Sequence, residues 1–252
     1  MVSKIRPVKR LLADIEVGSG KAQVLEKPSE LSHLLWVASR GIHGIRNRLI
    51  IWMLFGSGLR INEVAQLKVK DVLTSTGGIK PVFTVPGSYT KTGNPRAAFI
   101  LAHEHIETLR EWLLFRVDNQ AMLSISDDYM RLNPDSSLIL FAKGRNWRNP
   151  SFQDKKYPDK DGNIKTTKVC RTLENLARDI IKSAGFTHGS SHSGRRTLAT
   201  WLNRKKYSLE LIQMILGHEN PDMTLVYIEP WRKRIDEAFQ KTLGNIKLPK
   251  SP

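Results

Sequence analysis

His192, Arg195, His218 and Tyr227 fall in the C-terminal third of the chain. They read as His192-Ser193-Gly194-Arg195, then Leu216-Gly217-His218, then a tyrosine nine positions beyond that histidine. Far upstream stands Gly58-Leu59-Arg60-Ile61-Asn62-Glu63. Two arginines, two histidines and a tyrosine are suited to holding a phosphate diester and attacking it without a metal. A guanidinium forks two hydrogen bonds onto phosphate oxygens, which lysine cannot match in that geometry. Imidazole moves protons near neutral pH. A phenol deprotonated or positioned beside cations is a covalent nucleophile.

Each piece also has a plain structural reading. His192 and Arg195 share a face on a helical turn, and the run Gly189 to Gly194 supplies caps and free amides. Such a helix start attracts anions, yet His192 alone reads equally as a cap, with Arg195 and Arg196 as surface charges. Arg60 follows Gly56-Ser57-Gly58, where glycine permits a sharp turn, and Glu63 at i+3 suits an ordinary helix-start ion pair. No Gly-Lys-Ser/Thr follows those glycines, so a P-loop is absent. His218 sits at a helix–helix corner between Gly217 and Pro221. Tyr227 by itself reads as a half-buried packing residue.

Metal sites find little support. His103 and His105 flank Glu104 in the wrong pattern, His188 and His192 have no evident third ligand, and Asp159-Lys160-Asp161-Gly162-Asn163 reads as a turn rather than a calcium loop. No metal and no cofactor is expected.

The elements that must position these residues are mostly helical. Apolar spacing predicts helices opening at Pro28, over His43–Phe55, Asn62–Leu67, Glu104–Leu123, Thr167–Ala184, Arg195–Arg204, Leu209–Leu216, Asp222–Tyr227 and Arg232–Leu243. Val69, Val72, Val82, Phe83, Val85, Ala97, Phe99 and Ile100 fall in short β-type runs. They predict a small antiparallel sheet of about three strands, with Lys91 at a tight Gly93-Asn94 turn. Residues 143–165 read as a long basic loop. The fold class is mainly α with a small antiparallel sheet (α+β). The expected organisation is a basic arm over 1–27, one domain over 28–243 and a tail over 244–252.

A net charge of +16 and a pI near 10.1 point to a polyanion, nucleic acid before an anionic membrane. No run approaches the ~18 apolar residues of a membrane span, and the basic residues at the start, with no apolar stretch after them, are not expected to act as a secretory leader. The single cysteine, Cys170, allows no internal disulfide and no cysteine-based zinc site, which suits a reducing cytoplasm.

In order, Arg…Lys…His-x-x-Arg…Gly-His…Tyr resembles the tyrosine recombinase, or phage integrase, family across about residues 28–243. Gly58 to Val64 with Leu67 and Asp71 looks like that family's first arginine box, Lys91 like its mobile lysine, and His192 to Thr200 like its second box. Ser193-Gly194 departs from the Asp-Leu usual there. The spacing from Gly217-His218 to Tyr227 is the family's. The separate N-terminal clamping domain is absent from this pattern, as in the compact fimbrial phase-switching recombinases.

The resemblance implies a tyrosine recombinase catalytic-domain fold and a site-specific recombinase. Tyr227 would attack a DNA phosphodiester, leaving a 3′-phosphotyrosyl link and a free 5′-hydroxyl, without ATP. Arg60 and Arg195 would stabilise the pentacoordinate phosphorus, and Lys91 would protonate the leaving oxygen. His192 would transfer a proton near Tyr227, His218 would hydrogen-bond a phosphate oxygen, and Glu63 would support them. Double-stranded DNA is the implied partner, bound through the arm and through Arg145, Arg148, Lys168 and Arg196. A tetramer on synapsed duplexes is implied, with a monomer or weak oligomer when free, and residues 232–252 are the candidate segment passed to a neighbour. The implied location is cytoplasmic, on the nucleoid. A type IB topoisomerase-like relaxase and a DNA-binding regulator that has lost catalysis are the competing readings. A membrane-surface protein has no amphipathic basic helix to support it.

Overall fold

A computed structural model describes residues 22–90, 93–144, 146–158 and 162–217. Lys91, Arg145, His218 and Tyr227 lie outside the described residues. So do the predicted helices over 222–227 and 232–243, the segment 232–252, the tail and most of the basic arm.

Eight α-helices are described. They are α1 (Pro28–Ala38), α2 (Gly44–Phe55), α3 (Ile61–Gln66), α4 (Val69–Val72), α5 (His103–Asp118), α6 (Arg171–Ser183), α7 (Ser193–Arg204) and α8 (Leu209–Leu216). Three antiparallel hairpins accompany them: β1 (Val82–Val85) with β2 (Arg96–Phe99), β3 (Phe141–Lys143) with β4 (Asn146–Arg148), and β5 (Gln153–Pro158) with β6 (Ile164–Val169). Among the described residues no helix is long and apolar enough to cross a membrane.

The core is built around α2. Leu49, Ile50, Ile51, Met53, Leu54 and Phe55 are all buried on it. This run leaves the second half of α2 no polar face, so it must be surrounded; α1, α5 and α7 pack against the helix. α1 opens with Pro28 in its first turn, and Glu30 reaches back to accept the backbone amide of Glu26 at 2.6 Å. The segment before α1 lies along α7. Leu25 N–H donates to Thr197 Oγ1 at 3.0 Å, Trp201 Nε1 donates to the Leu25 carbonyl at 2.7 Å, and Arg204 pairs with Glu26 at 2.6 Å.

The sheet predicted as three strands is a two-stranded hairpin. Val69 and Val72 form one turn of helix rather than strand. Their β-branched side chains suggested extension, but they lie three apart and both are buried, which is helical spacing. Asp71 fixes that turn by accepting the Lys68 amide at 2.8 Å. α5 stops at Asp118, short of the expected Leu123, because Gln120 and Met122 take positive φ. The stretch 143–165 is not a loop: it contains β4, β5 and the start of β6. Residues 167–169, expected in the next helix, pair instead with 153–155, so α6 begins only at Arg171.

Candidate active site

Arg60 is set by the turn that ends α2. Gly58 takes φ +60, and a Cβ there would come within 2.9 Å of Leu216 and 3.0 Å of Leu198. Ser57 Oγ ties this turn to β2, donating to the Phe99 carbonyl at 2.5 Å. Arg60 then becomes the N-cap residue of α3. Glu63, one turn on, accepts the Arg60 amide at 2.7 Å and the Arg60 guanidinium at 2.9 Å.

Glu63 is 1% exposed and therefore needs compensating charge. A second arginine supplies it. Arg96 Nη2 meets Glu63 Oε2 at 2.6 Å, and Arg96 Nε reaches the other oxygen at 3.4 Å. Burial pushes the Glu63 carboxyl up, but the Arg96 hydrogen bond and charge, then those of Arg60, hold it below the usual carboxylate range.

His192 and Arg195 come from the start of α7. Gly194 brings that start against the end of α2: a Cβ there would sit 2.3 Å from the Leu54 carbonyl oxygen. Arg195 is fully buried. Its Nη1 donates to the Gly58 carbonyl and its Nη2 to the Leu216 carbonyl at 2.7 Å. One guanidinium thus joins the turn before α3 to the C-terminal end of α8, where exposed carbonyl dipoles favour a cation. Gly217 caps α8 at φ +63, as its place in Leu216-Gly217-His218 suggests.

His192 stays exposed at the N-cap of α7. Withdrawal of water by the surrounding protein lowers its pKa from 6.5, and the charges of Arg195 and Arg60 lower it further; Glu174 acts weakly in the opposite sense. The imidazole is therefore neutral at pH 7 and able to accept a proton.

Arg60 and His192 face one cleft of about 710 Å³, whereas Glu63 and Arg195 are buried and do not line it. Arg60, Asn62 and Gln66 of the α3 region, Ser191 and His192 before α7, and Arg171 and Glu174 of α6 form one side. The β5–β6 hairpin forms the other, with Lys155, Tyr157, Thr166 and Lys168. Among the described residues no three His, Cys, Asp or Glu side chains converge as a metal site. The arrangement suits a charged phosphate: cations for its oxygens, a neutral imidazole for a proton, and a basic hairpin above it.

Of the predicted site residues, Arg60, Glu63, His192 and Arg195 are brought together. Lys168 lies exposed on the hairpin facing the cleft, and Arg148 lies exposed on β4. Arg196 differs from its expected place on the surface. It is 7% exposed and donates to the Ala22 carbonyl, because its position on α7 points it under the segment preceding α1. Two features escaped the sequence reading. Arg96 had no local partner to flag it. The hairpin did carry a signal, Asp161-Gly162-Asn163 ahead of a run holding Ile164, Thr166, Thr167 and Val169.

A model of the phage integrase family matches residues 26–234. The tyrosine recombinase XerA of Pyrococcus horikoshii is 26% identical over 197 residues, which are 78% of this chain and 55% of that protein. XerC of Vibrio cholerae is 25% identical over 198 residues, covering 79% and 51% respectively. The chain thus spans about half the length of these curated relatives. Among solved structures, the XerA recombinase crystal structure superimposes with a TM-score of 0.58 at 22% identity, covering 90% of this chain and 67% of that one. The XerH recombinase in a post-cleavage complex with its difH substrate gives 0.57 at 24% identity, covering 89% and 54%. At these identities the structures show a shared fold.

Proposed function

The chain belongs to the phage integrase family, and from that premise we propose that it is a site-specific DNA recombinase of the tyrosine type. One observation carries the proposal most. Arg195 and the turn before Arg60, 137 residues apart in sequence, are joined by a buried hydrogen bond beside the cleft that Arg60 and His192 line. The order of motifs in the sequence supplies the remaining groups, and neighbouring folds include recombinases solved on DNA.

In this reading Tyr227 Oη attacks the scissile phosphorus and the DNA 5′-oxygen leaves. A 3′-phosphotyrosyl bond forms as the phosphodiester bond breaks. The incoming 5′-hydroxyl of a second strand reverses the exchange, so bond energy is retained. His192, neutral at pH 7, takes the phenol proton, and Lys91 protonates the leaving oxygen. Arg60, which lines the cleft, meets the pentacoordinate phosphorus, and Arg195, buried on the Gly58 and Leu216 carbonyls, lends its charge from within the protein, in a site already ordered by Glu63. His218 donates to a phosphate oxygen. Lys155 and Lys168 on the hairpin, with Arg148 and Arg145, hold the DNA backbone. Assembly as a tetramer on two synapsed duplexes belongs to the same proposal.

The test is covalent trapping on nicked duplexes drawn from the DNA flanking the gene. The wild-type chain is expected to give a protein–DNA adduct that survives denaturation, and Tyr227→Phe to give none. Site-specific binding with no wild-type adduct would favour a regulator. Relaxation of supercoils by monomer without site preference would favour a topoisomerase.

A further inference from the structure

Arg96 sits where three parts of the site meet. It opens β2 and pairs with Val85, at the end of the hairpin from which the connection carrying Lys91 departs. Its Nε and Nη2 fork onto Glu63, which in turn holds Arg60. Its Nη1 donates to the Ala97 carbonyl at 3.2 Å. Its aliphatic stem lies against Gly217: a Cβ built on that glycine would stand 2.2 Å from Arg96 Cδ and 3.2 Å from Cγ. Gly217 is the residue before His218.

All three nitrogens of this guanidinium therefore have protein partners, and the side chain is only 8% exposed. Arg60 is 19% exposed and lines the cleft. The two arginines share one carboxylate but differ in role. Arg60 is placed to meet substrate, and Arg96 is placed to hold what meets substrate.

We propose that Arg96 is a positioning residue for strand cleavage, which orients Arg60 through Glu63 and anchors the base of the Lys91 hairpin against the turn before His218. The proposal rests on the recombinase reading above. A fork onto both oxygens removes the freedom of Glu63 to rotate, so Arg60 is held in one direction. Contact with the Gly217 backbone couples that direction to the end of α8. Displacement of catalytic groups by about 1 Å is enough to slow a reaction on the order of 100-fold, so the effect belongs on the chemical step rather than on DNA affinity.

The experiment compares wild type, Arg96→Met, Arg96→Lys, Glu63→Gln and the Arg96→Met/Glu63→Gln double variant. Single-turnover adduct formation on a nicked duplex and DNA affinity are both measured, with thermal unfolding as a check on folding. Arg96→Met is expected to slow cleavage about 100-fold, as for that scale of misplacement, while affinity stays nearly constant. Arg96→Lys, which keeps the charge and stem but loses the fork, is expected to fall between the two. It also carries the test if the methionine variant does not fold. In the Glu63→Gln background, Arg96→Met is expected to cost little more, because residues acting through one another are not additive.

Undiminished cleavage by both Arg96 variants would overturn the inference. So would a fully additive double variant, or a loss of affinity matching the loss of rate. If wild type itself forms no adduct, the recombinase reading fails and takes this inference with it. Wild-type trapping with unaffected Arg96 variants sinks this inference alone.

Discussion

At the scale of single residues, the role proposed for His192 turns on its protonation near neutral pH. Loss of surrounding water, then the charges of Arg195 and Arg60, pull its pKa below 6.5. The neutral form therefore dominates at pH 7, and it gives way to imidazolium only as pH falls through that lowered value. If neutral His192 accepts the Tyr227 proton, the adduct-forming rate should show an acid limb with an apparent pKa below 6.5. His192→Gln should erase this limb and lower the plateau by about 100- to 10,000-fold, the usual range for losing a general base. A pH–rate profile of the two proteins checks this, and an acid limb that persists in His192→Gln assigns it to another group. Arg60 and Glu63 show how far residue-scale reading of the sequence reaches. Their i, i+3 spacing announced an ion pair, and the pair is present at 2.9 Å. The partner that completes it, Arg96, lies 33 residues away from Glu63 and gave no local sign.

Among elements, α7 bears two of the predicted catalytic residues, and its seat against α2 depends on one atom that is missing. A Cβ at Gly194 would lie 2.3 Å from the Leu54 carbonyl oxygen and 2.5 Å from its carbon. Backbone cannot swing aside as a long side chain does, so Gly194→Ala must push α7 away from α2. Overpacking of this kind costs about 1–3 kcal/mol, measurable by urea unfolding. The same shift moves His192 and Arg195, so adduct formation should fall by at least about 10-fold, given the sensitivity of catalysis to small misplacements. Stability and rate both equal to wild type would show that the helix seats itself some other way. This glycine stands at one of the two positions that depart from the family's usual second box, and the close approach gives its physical reason. Helices α2, α7 and α8 were readable because their signal repeats within one turn. Val69–Val72 and the β5–β6 hairpin were not, since β-branched residues serve a buried helical turn equally well and strand pairing is decided by a partner segment.

For the whole molecule, charge is the property most plainly written in the sequence. A net +16 on 252 residues implies binding dominated by contacts to phosphates. With roughly 6–10 such contacts, affinity for duplex DNA should drop by about 1,000- to 100,000-fold between ~50 and ~200 mM salt. A titration series by fluorescence anisotropy measures the slope, and a flat dependence would remove the polyanion from the account. The types and order of the predicted catalytic residues, the excess of positive charge and most helices were determined by the sequence itself, because each depends on neighbours within a few positions. Tertiary structure alone decided the rest. It buried Arg195 between the Gly58 and Leu216 carbonyls, turned Arg196 inward onto Ala22, stood a basic hairpin over the cleft and gave Glu63 its second arginine. A charged side chain has the same local pattern whether it faces water or a distant carbonyl. Only the folded chain brings that carbonyl within hydrogen-bond reach.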